Sequence, residues 1–260
     1  MKTKIIRISD NFWNIRGSFK IGGLINIGTH ASLIRTENGK FIFLDSLTFE
    51  DEILQEINKL TDNGKNVEAV LNLHPFHTIH VKKMHAIYPN AKHYGTARHH
   101  LKSPELKWED LKTEDNELHK QFSKDLDFSV PRGVDFISKD ENLHFSSVLA
   151  YHKSSRTIHV DDTLMYIALP KLLSFFGLSD PLSFHPTLSK VLENKKEAVD
   201  EFEDWAREIA SSWSDAENLC AAHTASFIGK NKNGVSIQKR ILKALDKVQG
   251  KLQSHKAKLN

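Results

Sequence analysis

The sequence predicts a mixed α/β fold, with helices covering a sheet of both parallel and antiparallel strands, on three observations. An Asn-Gly turn between β-forming runs starts the chain antiparallel, strand–helix alternation follows, and amphipathic helical stripes close it. Ser32-Leu-Ile-Arg35 and Lys40-Phe-Ile-Phe-Leu44 flank Glu37-Asn-Gly-Lys40, which is a hairpin signal. Ile53, Leu54, Ile57 and Leu60 recur at helical spacing and Asn63-Gly64 supplies a stop, so Phe49 to Leu60 reads as a helix. Val67 to Leu73 reads as a buried strand. Val81, Met84, Ile87 and Tyr88 mark a second helix ending before Pro89-Asn90, and Ala91 to Tyr94 another strand. Residues 99–130 read as an insertion with one or two short helices, a solvated excursion in preference to a lid. Strand character returns at Val134–Ile137, Leu143–Tyr151 and Thr157–Val160, with Lys153-Ser-Ser-Arg156 as a turn. Val191, Val199, Phe202, Ala206, Ile209 and Trp213 trace one helical stripe, and Ile237, Ile241, Leu245, Val248 and Leu252 another, so 186–260 reads as mostly helical. No repeat, low-complexity tract or convincing linker divides the chain, and 1–260 is expected to be one domain.

Composition excludes several functional classes. Hydrophobic residues at 39% and charged residues at 27% are ordinary for a globular protein, and a net charge of +3 does not point to nucleic acid. Residues 236–260 hold seven Lys or Arg against Asp246 alone, but without interleaved aromatics this reads as a solvated helix face and tail. Cys220 is the single cysteine, so no internal disulfide and no cysteine-based zinc site can form. Gly22-Gly23 and Gly28 form no phosphate-binding pattern. Met1 to Asp10 lacks a signal-peptide core, and Leu169–Leu178, broken by Pro170, Lys171 and Gly177, is too short to span a bilayer. A cytoplasmic protein with a small-molecule substrate or ligand, and no nucleic-acid or membrane partner, is expected.

The candidate chemistry lies in Leu71-Asn-Leu-His-Pro-Phe-His-Thr-Ile-His-Val81. His74, His77 and His80 stand where the strand that opens this run gives way to a loop, and neutral imidazole is the commonest metal ligand. Further along come Asp45 after Phe43-Leu, His144, Asp161-Asp162-Thr-Leu164 after a strand, and Cys220-Ala-Ala-His223. In this order the landmarks resemble the metallo-β-lactamase superfamily over roughly residues 10–228.

The resemblance implies an αββα four-layer sandwich, mixed sheets with helices outside, and a hydrolase using a metal-bound hydroxide. Laid from its last residue, the family signature His-x-His-x-Asp-His puts its final histidine on His80 and its second on His77. Its Asp then falls on Ile79 and its first His on Pro75, with His74 one residue early. The resemblance further implies that Asp45 supports the metal loop, that Asp162 is the bridging carboxylate with Asp161 in the place of a glycine, and that His223 serves a second metal. His144 is the nearest third histidine for the first site, with His152 and His159 as fallbacks. Because isoleucine neither ligates nor orients water, the surviving site would hold one ion, Zn²⁺ or possibly Fe²⁺, through His74, His77, His144 and Asp162. Asp162, then Asp161, would take the proton. The implied activity is hydrolysis of a small ester, thioester or related substrate. The alternatives are a non-catalytic binding protein on a degenerate, metal-free site and a mononuclear iron oxygenase.

Overall fold

The computed structural model describes residues 4–21, 25–26, 28–167, 181–223, 225–229 and 234–259. Gly22-Gly23, Leu169–Leu178 and Thr224 lie outside them. The chain forms two compact units, Met1–Phe128 with His152–Ser155, and Ser129–Tyr151 with Arg156–Asn260.

In the first unit the elements run β1 (Lys4–Ser9), β2 (Phe12–Gly17), β3 (Lys20–Ile21), β4 (Ile25–Asn26), β5 (Thr29–Arg35), β6 (Phe41–Leu44), α1 (Asp51–Thr61), β7 (Val67–Leu71), α2 (Val81–Ile87), β8 (Lys92–Tyr94), α3 (Ala97–Lys102) and α4 (Asn116–Phe122). The main sheet has the order β1-β2-β5-β6-β7-β8. It is antiparallel as far as β6 and parallel from β6 to β8. The expected hairpin is β5–β6, closed by the Thr36 N–H on Lys40 O at 2.9 Å, with Gly39 at φ +81° where a side chain would be strained. The crossings through α1 and α2 make the last strands parallel. One sheet face, with Trp13, Ile15, Leu33, Phe43 and Val70, buries Ile53 and Ile57 of α1 and Met84 of α2. The same strands β2 and β5 alternate to a buried polar row, in which Asn14 Nδ2 lies 3.2 Å from Ser32 Oγ and 3.1 Å from His30 Nδ1.

The chain passes through β9 (Leu126–Ser129) to the second unit, which holds β10 (Leu149–His152), β11 (Thr157–Val160), β12 (Leu164–Tyr166), β13 (Leu182–Phe184), α5 (Leu188–Val191), α6 (Ala198–Ser212), β14 (Asn218–Ala221), β15 (Ser226–Phe227) and α7 (Ile237–Ala257). Its sheet runs β15-β14-β11-β10, with β11 and β14 parallel, and β12–β13 is a separate antiparallel pair. Phe145, Phe184, Phe202, Trp205, Ile241 and Leu245 build one core under α6 and α7. A side chain at Gly133 (φ +70°) would lie 1.9 Å from Ala198 O, so only glycine lets this segment reach the start of α6.

Three expectations change. Val134–Ile137 is no strand, because its backbone bonds go to a loop: Asp135 N–H to Val191 O at 2.8 Å, and Glu193 N–H to Gly133 O at 3.1 Å. Within Leu143–Tyr151 the strand begins only at Leu149, since Ser147 N–H is taken by Thr163 Oγ1 at 3.0 Å. Within 186–260, expected to be mostly helical, β14 and β15 lie between α6 and α7. Among the described residues, no helix is long and apolar enough to cross a membrane.

Candidate functional site

Asp45 ends β6 in a left-handed conformation (φ 65°), which an L-residue adopts at a cost of about 1–2 kcal/mol and which Asp tolerates better than most. That geometry turns its buried carboxylate onto β7. Oδ1 accepts the Leu73 N–H at 2.8 Å, and Asp45 N–H donates to Leu71 O at 2.8 Å. Asn72 ties in the neighbouring strand ends through Tyr94 O (3.0 Å), Ser46 Oγ (2.6 Å) and, on its own carbonyl, Thr113 Oγ1 (2.9 Å). His74 is delivered from this fixed base and is fully buried.

The His74 and His77 rings stack at 4.0 Å, and one ligand atom from each lies within 4.8 Å of the other. His74 Nδ1 accepts the Phe76 N–H at 3.1 Å. A neutral imidazole has one lone pair, so ligation by His74 gives up this bond, worth about 1 kcal/mol against about 10 kcal/mol or more for a structural zinc ion. Ligation wins. Two residues of α3 grip the loop. Arg98 donates to Pro75 O at 3.2 Å and lies 4.4 Å from the Phe76 ring centroid. His99 receives the Thr96 N–H on Nδ1 (3.1 Å) and donates from Nε2 to His77 O (3.4 Å). With both nitrogens engaged and burial pushing its pKa down to about 3, His99 holds the loop and is not itself a ligand. Within 99–130, His99 and Thr113 are buried against the histidine loop and its base, while most of the segment is partly or fully exposed. His80 opens α2 with Nδ1 2.9 Å from Thr48 Oγ1, and burial and then His77 hold its pKa below the ordinary value. Ile79 is 71% exposed.

In the second unit, β11 ends at Val160 and delivers two buried carboxylates, Asp161 and Asp162. Thr163 fixes the turn, donating to Phe145 O at 2.9 Å and accepting the Ser147 N–H. His223 Nε2 lies 2.8 Å from Asp162 Oδ1, and His144 Nδ1 4.0 Å from Oδ2. His144 is partly exposed, and its Nε2 lies 2.8 Å from Glu141 O. His159 faces Cys220 across β11–β14, and one of its ring nitrogens lies within 4.8 Å of an Asp161 oxygen. The other fallback, His152, is the last residue of β10 and the one residue of that strand that belongs to the first unit, where it is buried. It lies 5.7 Å from Phe12 between ring centroids and 2.7 Å from Ser155 Oγ, with burial pushing its pKa down to about 4.

No family model matches this sequence, and no curated protein does. Solved structures do. A metallo-β-lactamase from Pontibacter korlensis matches with a TM-score of 0.57 and 12% identity over 94% of this chain and 99% of its own. The metallo-β-lactamase DIM-1 gives 0.60 and 13% over 96% and 99%. The chain has the metallo-β-lactamase fold. A metallo-β-lactamase from Erythrobacter litoralis, with β-mercaptoethanol in its active site, agrees at 0.60 and 14% over 94% and 95%. At such identities the likeness establishes the fold, and residue roles rest on local geometry.

The donors suit the metal that metallo-β-lactamases are named for. The first unit offers a stacked imidazole pair, and the second a buried carboxylate flanked by imidazoles. Nitrogen and oxygen donors of this kind suit Zn²⁺ or Fe²⁺. Sequence reasoning missed His185, Arg98 and His99. His185 had a legible signal, since Phe184-His-Pro186 repeats the strand-then-His-Pro pattern of Leu73-His-Pro75. Burial holds its pKa down, Asp162 opposing and His223 and His144 adding to the shift.

Proposed function

We propose that this protein is a metal-dependent hydrolase of a small ester, thioester or related substrate. The observation that carries the reading is the buried Asp162 carboxylate with His223 at 2.8 Å, at a strand exit of a chain with the metallo-β-lactamase fold. The residues proposed to bind metal are His74 and His77 in the first unit and His144 and Asp162 in the second. When bound, Zn²⁺ or Fe²⁺ would supply Lewis-acid polarisation of the substrate and acidify a water toward neutrality. The chain's own residues supply the rest. Asp45 and α3 hold the His74–His77 loop before substrate arrives, so orientation costs nothing at the moment of reaction. Asp162 accepts the proton that the attacking water loses, and His223 holds the carboxylate in place. The exposed Ile79 can do neither task.

The test is chelation. Hydrolysis of a panel of esters and thioesters should stop when metal is stripped from the purified protein and return on adding zinc or iron(II). Turnover at full rate without metal, or a protein that takes up none, overturns the reading.

A further inference from the structure

The first unit carries a cleft at the end of its main sheet away from the histidine loop. Phe41 begins β6 and Asp45 follows its last residue, so opposite ends of one strand serve the two places. Cross-strand register sets Arg7 opposite Trp13, Trp13 opposite Leu33 and Arg35 opposite Phe41. Side chains two apart on a strand share a face, and here it is the face against which α1 buries Ile53 and Ile57. Glu56 and Leu60 of α1, with Ile5, Trp13, Arg35 and Phe41 of the sheet, line a cavity of about 450 Å³. Arg7 and Asp10 also border it and are paired with each other. Arg35 and Glu56 differ from them. Both are exposed, and neither side chain has a hydrogen bond or ion pair among the described residues, with each other or with a neighbour. Arg35, Phe41 and Leu60 also wall an adjoining cavity of about 500 Å³, so the guanidinium stands where the two meet.

We propose that this cleft binds a free α-amino acid with an apolar side chain, through Arg35 on its carboxylate and Glu56 on its ammonium group. One wall offers one unpaired cation, one unpaired anion and an apolar lining, and that combination selects the ligand. A simple anion meets Glu56 as a like charge, and a simple cation meets Arg35 as one; a zwitterion complements both. The planar guanidinium fits a carboxylate through two parallel N–H bonds. The side chain then packs against Leu60, Ile5 and the rings of Trp13 and Phe41, in a volume ordinary for small-ligand sites. Because both charges are exposed and screened, the affinity is modest, in the millimolar range. The site needs no metal and no residue of the hydrolase reading.

The experiment titrates full-length protein with L-phenylalanine, glycine, 3-phenylpropionate and phenethylamine, followed by calorimetry and by saturation-transfer NMR. Wild type is compared with Arg35→Gln and Glu56→Gln, both exposed substitutions that leave the apolar lining in place. L-Phenylalanine should bind wild type, and each variant should weaken it about fivefold or more. The three other probes, each lacking one of the recognised groups, should bind wild type weaker by a similar factor. No binding of L-phenylalanine at about 10 mM overturns the proposal. Equal binding of 3-phenylpropionate or phenethylamine overturns it too, since one charge would then suffice, and equal binding of glycine would show that the apolar lining takes no part. Unchanged affinity in either variant is equally fatal, because both charges are required. Stripping metal from the protein should leave L-phenylalanine binding intact. Loss of binding on stripping would move the ligand to the metal site and end this inference, with the hydrolase reading untouched.

Discussion

His77 and His80 stand three residues apart in the same run yet meet different surroundings. His77 stacks on His74, while His80 Nδ1 is engaged by Thr48 at the start of α2. His77→Ala is therefore expected to lower metal affinity at least tenfold and His80→Ala much less, read by metal analysis of the two side by side. An equal or larger loss at His80 would reverse the assignment. Between them, Ile79 is exposed, so Ile79→Asp puts the family's carboxylate into water and not into an apolar niche. Its stability should stay within about 0.5 kcal/mol of wild type by urea unfolding, as for most surface changes. A loss of several kcal/mol would mean that the loop packs more tightly than its exposure indicates.

Helix α3 matters beyond its six residues because Arg98 and His99 both reach back to the histidine loop. His99→Asn keeps an acceptor for the Thr96 N–H but is too short to reach His77 O. The expected result is a loss of about 1 kcal/mol of stability together with metal binding weakened about tenfold, the usual range for a lost supporting bond. Thermal unfolding paired with metal titration separates the two effects, and unchanged affinity would show that the clamp does not position the ligands. Helix α7 lies at the other extreme. Leu252 is its last fully buried residue, and beyond it His255 meets Glu193 O and Lys256 pairs with a largely exposed Asp200. Removing the residues after Leu252 should cost about 1 kcal/mol or less and leave metal content unchanged. Loss of metal on truncation would give the basic tail a role at the site.

At the scale of the molecule, buried histidines set the response to acid. His93, His99 and His152 have folded pKa values of about 4, 3 and 4, each lowered chiefly by burial. The unfolded chain, with imidazoles near about 6.5, takes up protons first, so stability is complete above about pH 6.5 and falls as pH drops toward the folded values. Each group contributes about 1.4 kcal/mol per pH unit in that window, and three together remove a large part of a typical 5–15 kcal/mol within about two units. Urea midpoints should therefore fall steeply between about pH 6 and pH 4, and a flat profile would show that these rings are not buried as neutral species.

The sequence by itself determined the alternation that yields the hairpin, α1, β7, α2 and β8, because apolar period and turn residues act over a few positions and here agree with one another. It also placed Asp45 and Asp162 just after strands, and β6 and β11 do end at Leu44 and Val160. Tertiary structure alone decided what lies against them. Val134–Ile137 has strand-forming residues but lends its backbone to the loop around Leu192, and no local pattern records that choice. His99 bonds to His77 O and the His185 N–H to Thr163 O, each about 20 residues away in sequence. Hydrogen bonds across such separations are set by how elements pack, which residue spacing does not encode.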